Sequence, residues 1–197
     1  MSAAATPGSD RRVGLLGGTF DPPHLGHLVA AECARIGWDL DEVRLLVASD
    51  PWMKSTSATA ADRVEMARLA VGDDPYLTVD ARELHRRGPT YTADTLAELH
   101  TEDPGVHWVF VVGADAAASL DDWERIAEVE SLAELVCVDR PGYARVERPG
   151  LGHLEVPGID VSSTALRRRV ARGEAVRYLT PPAVADHIAA RGLYATV

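Results

Sequence analysis

Residues Arg12–Leu16 read RVGLL and run directly into Gly17-Gly18-Thr19-Phe20-Asp21-Pro22-Pro23-His24-Leu25-Gly26-His27. An apolar run closed by two glycines is a buried strand entering a tight turn. Beyond the turn, Leu25, Leu28, Val29, Cys33 and Ile36 recur at helical spacing, and Gly37 stops the pattern. The chain therefore opens as strand, glycine turn and helix.

The same alternation continues outward. Val43–Ala48 is a second strand, Ser49–Ala58 a loop, and Thr59 caps a helix over Ala60–Val71 buried through Val64, Met66, Ala67, Leu69 and Ala70. Tyr76–Ala81 is a third strand. After the Arg86–Pro89 loop, Thr90 or Thr92 caps a helix running to about His100. Val106–Val112 and Leu135–Asp139 are further strands, and His153–Val156 is a sixth. Two helices close the chain, about Ser163–Ala171 and Pro182–Ala190. The central strands are apolar throughout rather than alternating, so both faces of the sheet are covered. That predicts an α/β fold, a doubly wound parallel sheet with a small C-terminal helical part at about 160–194. Residues 1–10 read as a loose tail and 11–197 as a single domain. In such folds ligands bind at the carboxyl ends of the strands, so the residues that follow strands carry the chemistry.

Composition narrows the function. The 197 residues hold 30 acidic and 20 basic side chains, a net charge of −10, which argues against a general nucleic-acid binder. No stretch approaches the ~20 apolar residues of a membrane helix. Arg11–Arg12 is followed by an apolar run that Asp21-Pro22-Pro23 breaks at once, so no secretory signal is read and a cytoplasmic location is expected. Cys33 and Cys137 read as two buried free thiols. The basic residues comprise 19 arginines and one lysine, Lys54, which singles that position out.

Four strings follow strands or open helices. In the first, Gly17 and Gly18 let backbone N–H groups approach a phosphate, and the helix start adds a fixed positive potential. His24 and His27 lie one turn apart on one helical face and can address the same anion. Each element has a plainer reading, a turn for Gly-Gly and a zinc pair for His-x-x-His, although no third ligand of suitable spacing is visible. The second string, Val161-Ser162-Ser163-Thr164-Ala165-Leu166-Arg167, sets hydroxyls and an arginine at a helix start, which suits a triphosphate or is a plain N-cap with a basic face. The third, Gly88-Pro89-Thr90-Tyr91-Thr92-Ala93-Asp94-Thr95-Leu96, reads physically as turn, cap and amphipathic helix. In the fourth, Gly113 and Asp115 end a strand, with Trp123 ten residues after Gly113. An acidic group there can bond a ribose and an indole can stack on a flat ring; a solvated Asp and a core Trp are the plainer readings.

Taken together, the strings resemble the nucleotidyltransferase superfamily, whose (H/T)-x-G-H motif is matched by His24-Leu25-Gly26-His27. Ser162-Ser163-Thr164 and Arg167 resemble its ISSTxIR motif, with Val161 in place of Ile. The third string is similar to the GPSYTxDTL segment of bacterial nicotinate mononucleotide adenylyltransferases, and it separates them from pantetheine-phosphate and cytidylyl enzymes. Arg140-Pro141-Gly142-Tyr143 and Gly192-Leu193-Tyr194 also match, so the resemblance runs from about Arg12 to Tyr194. It implies a Rossmann-like nucleotidyltransferase fold and AMP transfer from ATP to nicotinate mononucleotide, giving nicotinate adenine dinucleotide and pyrophosphate in NAD biosynthesis. His24, His27, Lys54 and Arg167 are then the catalytic residues. Gly17, Gly18, Thr19, Phe20, Gly26, Gly113, Asp115, Ser162, Ser163 and Thr164 join the histidines and Arg167 at ATP, while Thr90, Tyr91, Thr92 and Trp123 bind the nicotinate moiety. The family's Pro-x-x-x-Pro-x-His-Lys-like loop is altered here to Ala48-Ser49-Asp50-Pro51-Trp52-Met53-Lys54, shorter and with Met53 where a His stands.

The implied reaction fits the residues. A phosphate nucleophile is already ionised at neutral pH, so the enzyme needs positioning and charge neutralisation rather than a strong base. Mg²⁺ is expected to enter with ATP, with no dedicated protein metal site. Expected partners are small molecules, with no nucleic acid and no membrane, and homo-oligomers are left open. Alternatives are the same transfer to nicotinamide mononucleotide or phosphopantetheine, a non-catalytic nucleotide-binding regulator, and a dehydrogenase, which lacks its glycine fingerprint here. No Walker motif is present.

Overall fold

The computed structural model describes residues 11–49, 56–86, 88–139 and 145–195. Six strands form one sheet: β1 (Arg11–Gly18), β2 (Glu42–Val47), β3 (Leu77–Asp80), β4 (Val106–Gly113), β5 (Glu134–Asp139) and β6 (Gly152–Glu155). Their order is β3-β2-β1-β4-β5-β6, and every pairing is parallel. The chain winds outward one way from β1 to β3, then returns to β4 on the other side of β1. The order therefore reverses between β1 and β4, and the crevice beyond their carboxyl ends is where a doubly wound sheet receives ligands. The helices are α1 (Leu25–Gly37), α2 (Ala60–Val71), α3 (Thr92–Glu102), α4 (Ala114–Ala117), α5 (Ile126–Leu132), α6 (Ser163–Ala171) and α7 (Pro182–Arg191).

Two apolar layers cover the sheet. Val13, Leu15, Trp108, Phe110, Val112, Leu135 and Cys137 face α3 and α5 on one side, and Val43, Leu45, Val109, Val111, Val136 and Val138 face α1 and α2 on the other. That two-sided burial is why the strand sequences do not alternate. Cys33 and Cys137 are free. Burial, with Asp139 beside it, pushes the Cys137 thiol up to about 11 and keeps it protonated. Cys33 is only half-buried.

Several local expectations change. The buried face of α1 is Ala30, Ala31 and Ala34, whereas Ile36 is 66% exposed and Leu28 and Val29 lie on the flanks. Small alanines let the helix backbone sit close to the sheet, so the bulky residues are turned aside. Neither Thr90 nor Thr92 caps α3; its N-cap is Tyr91 and no side chain closes it. Two short helices, α4 and α5, and two 3-10 turns at Arg82–His85 and Leu120–Asp122 have no counterpart in the sequence reading. All are too short for helical periodicity to register.

The C-terminal helices dock through buried polar contacts as well as apolar ones. Thr59 caps α2 as its sequence indicates, accepting from Asp62 N at 3.1 Å. The buried Asp62 carboxylate then accepts from Thr59 Oγ1, from Arg191 Nε at 3.1 Å and from His187 Nε2 at 3.2 Å, which ties α7 to α2. The Thr59 hydroxyl first, then Arg191 and His187, hold the Asp62 carboxyl below its usual range. A depressed folded pKa stabilises the fold above the unfolded value near ~3.9, and the gain is lost as pH falls through the folded value. Asp62→Asn is therefore expected to lower Tm at pH 7, with the gap to the natural protein narrowing below about pH 4. A gap that stays constant from neutral pH into acid would show that the charge contributes nothing.

Candidate active site

At the switch point the ends of β1 and β4 lie side by side, with Leu16 paired to Val111. A Cβ added at Gly17 would meet the Phe110 ring at 3.1 Å, and one at Gly18 would meet the Phe20 ring at 3.0 Å. These two glycines make room for aromatic rings inside the protein. Gly113 differs: a Cβ there meets nothing within 4 Å, so the protein itself does not require glycine at that point. Gly113 is the exposed N-cap of α4, and Asp115 is exposed in its first turn.

The turn after β1 carries the two histidines. Phe20 holds a left-handed backbone with φ 49°, and its ring is fully buried. It meets the His27 ring edge-on at 5.1 Å. His24 is the N-cap of α1, 2% exposed, and its ring stacks on His27 with centroids 3.7 Å apart. Gly26 allows close packing here, since a Cβ would lie 3.1 Å from the His24 ring and 3.2 Å from Val161. The backbone N–H of His24 donates to His27 Nδ1 at 3.1 Å. An Nδ1 that accepts leaves the proton of the neutral ring on Nε2, so His27 is held as an Nε2 donor.

The α6 helix and the segment just before α7 are stapled onto this turn at successive carbonyls. Arg167 Nη1 donates to Asp21 O, Ser163 Oγ to Pro22 O and Thr180 Oγ1 to Pro23 O, each at 2.8 Å. Leu25 N donates to Leu179 O at 3.0 Å. The N-termini of α1 and α6 thus meet at Asp21–His24, and both contribute partial positive charge there. Ser162 caps α6 by accepting from Ala165 N at 3.2 Å, while the exposed Thr164 accepts from Arg167 Nη2 at 3.3 Å. Of the three arginines in a row, only Arg167 turns to the site: Arg168 is exposed and Arg169 bonds the Ala175 carbonyl.

Two buried charged residues, not singled out by the sequence reading, hold the turn from beneath. Asp21 is 1% exposed, and its carboxylate accepts from Ser57 N at 2.6 Å, Ala58 N at 3.1 Å and the Tyr194 hydroxyl at 2.7 Å. Burial and the bond to Asp21 push the Tyr194 phenol far up, so it stays a protonated donor. Arg63 is 1% exposed and donates to the carbonyls of Thr19, Ala48 and Ser49, tying the turn after β1 to the segment after β2. A charged residue at i relative to Ala67 and Ala70 on the buried stripe of α2 was the signal for Arg63.

A second group gathers at the start of α3. Tyr91 and Thr92 begin the helix, whose first-turn N–H groups have no side-chain cap. The Thr90 hydroxyl donates to the buried Glu83 carboxylate at 3.0 Å. Trp123 is half-buried, edge-on to Phe110 at 5.9 Å. Arg125, two residues after Trp123, reaches Asp94 in the first turn of α3 and so links the two segments. Lys54, with Asp50–Met53, and the Arg140–Tyr143 string lie outside the described residues.

Residues 15–169 match the family model described as cytidylyltransferase-like. A protein of Leifsonia xyli subsp. xyli named "Probable nicotinate-nucleotide adenylyltransferase" is 41% identical, covering 98% of each chain. One of Thermus thermophilus with the same name is 45% identical over 93% of this chain and 99% of its own. Among solved structures, the Plasmodium falciparum nicotinic acid mononucleotide adenylyltransferase complexed with NaAD superposes with a TM-score of 0.77, covering 95% of this chain and 98% of that one. At 19% identity this is a likeness of fold.

Proposed function

The chain belongs to the cytidylyltransferase-like family, within it to the nicotinate-nucleotide adenylyltransferases, and on that premise we propose how its own residues carry out AMP transfer from ATP to nicotinate mononucleotide. The products are nicotinate adenine dinucleotide and pyrophosphate. The observation that carries the proposal is the junction of two helix N-termini at Asp21–His24, with His27 held as an Nε2 donor and Ser163 and Arg167 bound to the same turn.

In the transfer, a phosphate oxygen of the mononucleotide forms a bond to the α-phosphorus of ATP while the bond from that phosphorus to the bridging oxygen breaks. The electron pair leaves with pyrophosphate, and no proton need be removed from an ionised phosphate. The protein's task is to align two anions and offset the charge that develops on the transferred group and leaving group. His27 donates from Nε2 to that charge. His24, Gly26 and Phe20 fix its ring. Arg167, Ser162, Ser163, Thr164 and the α6 N-terminus add positive potential, and Lys54 is assigned the remaining cationic contact. Gly17, Gly18 and Thr19 shape the turn, and Gly113 and Asp115 are assigned to the adenosine. Tyr91, Thr92 and Trp123 are assigned to the nicotinate group, with Thr90 supporting their turn. The divalent cation, Mg²⁺, is counted with the ATP substrate. Among the described residues no three or more of His, Cys, Asp and Glu cluster to hold a metal ion, and no helix is long and apolar enough to cross a membrane. Residues 11–197 are taken as the working unit, acting in the cytoplasm.

Pyrophosphate release from Mg-ATP tests the reading, with nicotinate mononucleotide, nicotinamide mononucleotide and phosphopantetheine offered in parallel. The expected outcome is release with the nicotinate substrate at a kcat/KM at least tenfold above the amide. Equal rates with acid and amide would remove carboxylate recognition, and release with phosphopantetheine alone would reassign the acceptor.

A further inference from the structure

An ionisable carboxylate inside a fold is costly unless its oxygens are bonded, so a buried glutamate needs a reason. Glu83 is 6% exposed, in the 3-10 turn after β3. Its Oε2 accepts from Thr90 Oγ1 at 3.0 Å and its Oε1 from Thr95 Oγ1 at 2.9 Å. Thr95 Oγ1 in turn accepts from Arg86 Nη1 at 2.8 Å, and Arg86 Nε bonds Glu98 at 3.0 Å. The two threonines bracket the start of α3, one just before its N-cap Tyr91 and one within its first turn and a half. A helix with threonines at its start ordinarily caps itself, a hydroxyl oxygen accepting from a first-turn N–H. Here the two threonines donate to Glu83, which anchors the chain on either side of Tyr91 and Thr92, and no side chain caps the helix. Its first-turn amides are left for an outside acceptor.

We infer that Glu83 is a positioning residue that holds the turn at the start of α3 in place for the carboxylate of the pyridine mononucleotide. The inference rests on the reading that this turn receives the nicotinate group. Removing an acceptor oxygen of Glu83 releases one of the two threonines that fix this turn. The consequence falls on one substrate only, since the ATP-facing turn at Asp21–His27 belongs to other elements.

Calorimetric titration of nicotinate mononucleotide into ATP-free protein tests this, beside steady-state KM values for both substrates. Glu83→Gln cannot accept at both oxygens and is expected to weaken mononucleotide binding at least tenfold, with the KM for ATP within threefold of the natural protein. Thr90→Val should repeat the loss, and Thr90→Ser, which keeps the hydroxyl, should restore binding. Preference for the acid over the amide should fall in parallel. Unchanged mononucleotide binding in folded Glu83→Gln and Thr90→Val would overturn the inference, as would an equal weakening of both substrates. Failure of the natural protein itself to bind the mononucleotide would instead overturn the underlying reading, and it is visible before any variant is made.

Discussion

His27→Ala is expected to lower kcat by about 10²–10³-fold while the KM values for ATP and mononucleotide change little, the loss seen when one preorganised donor to developing charge is removed. The ring is unusually constrained for a residue one turn into a helix. His24 N bonds Nδ1 at 3.1 Å, the His24 ring lies over one face at 3.7 Å and Phe20 meets it edge-on at 5.1 Å. A donor held this way needs no reorganisation when charge appears, which is why its contribution should fall on kcat rather than on ground-state binding. Alanine also deletes the acceptor for His24 N, and a folding defect could imitate a catalytic one. His27→Asn separates the two: its side-chain oxygen can still accept from His24 N, but nothing replaces Nε2. The asparagine variant should match alanine in kcat while keeping more of the Tm. If His27→Asn turns over at more than a tenth of the natural rate, the Nε2 donor is not the group that stabilises the transition state.

What could be read in advance was chemistry that is local in the chain. Thr59 and the helix after it follow from one hydroxyl three residues from an acceptor-seeking N–H, and the covered strands follow from their uninterrupted apolar residues. The histidine pair was legible for the same reason, because His24 and His27 share one turn of one helix. Contacts across the chain were not. Thr90 reads as a cap in the sequence, but the N-cap is Tyr91, one residue later, and only the fold brings the Glu83 carboxylate to the Thr90 hydroxyl. The stripe of α1 was assigned to its largest apolar residues, but close approach to the sheet selects the smallest, Ala30, Ala31 and Ala34. Arg167 was placed by resemblance at the phosphates, and its Nη1 proves to be bonded to the carbonyl of Asp21. The same side chain therefore shapes the turn that the histidines occupy, a role that motif matching does not describe.

Asp21→Asn is expected to be the most damaging single-atom exchange in the molecule, lowering the unfolding free energy by about 3–5 kcal/mol and kcat by about 10²-fold. Three donors converge on the carboxylate: Ser57 N on Oδ2, and Ala58 N and the Tyr194 hydroxyl on Oδ1. Asparagine offers one acceptor oxygen and one amino group, and in either orientation that amino group faces a backbone N–H it cannot bond. Flipping the amide lets the Tyr194 hydroxyl rotate and accept, but Ala58 N is then left facing a donor, buried and unsatisfied. The catalytic cost follows because Asp21 also carries the carbonyl gripped by Arg167 and lies three residues from His24. A shift of about 1 Å in a positioned group is enough for a hundredfold loss. Tyr194→Phe removes one donor, leaves both amides bonded and should cost about 1.5–3 kcal/mol, the contribution of a bond to a charged group. Chemical denaturation of both variants reads the stabilities, and kcat at saturating substrates reads the turn. If Asp21→Asn is no less stable than Tyr194→Phe, the two amide bonds from residues 57 and 58 are not what fixes the turn. Its position would then be owed to the Arg167, Ser163 and Thr180 contacts on the opposite side.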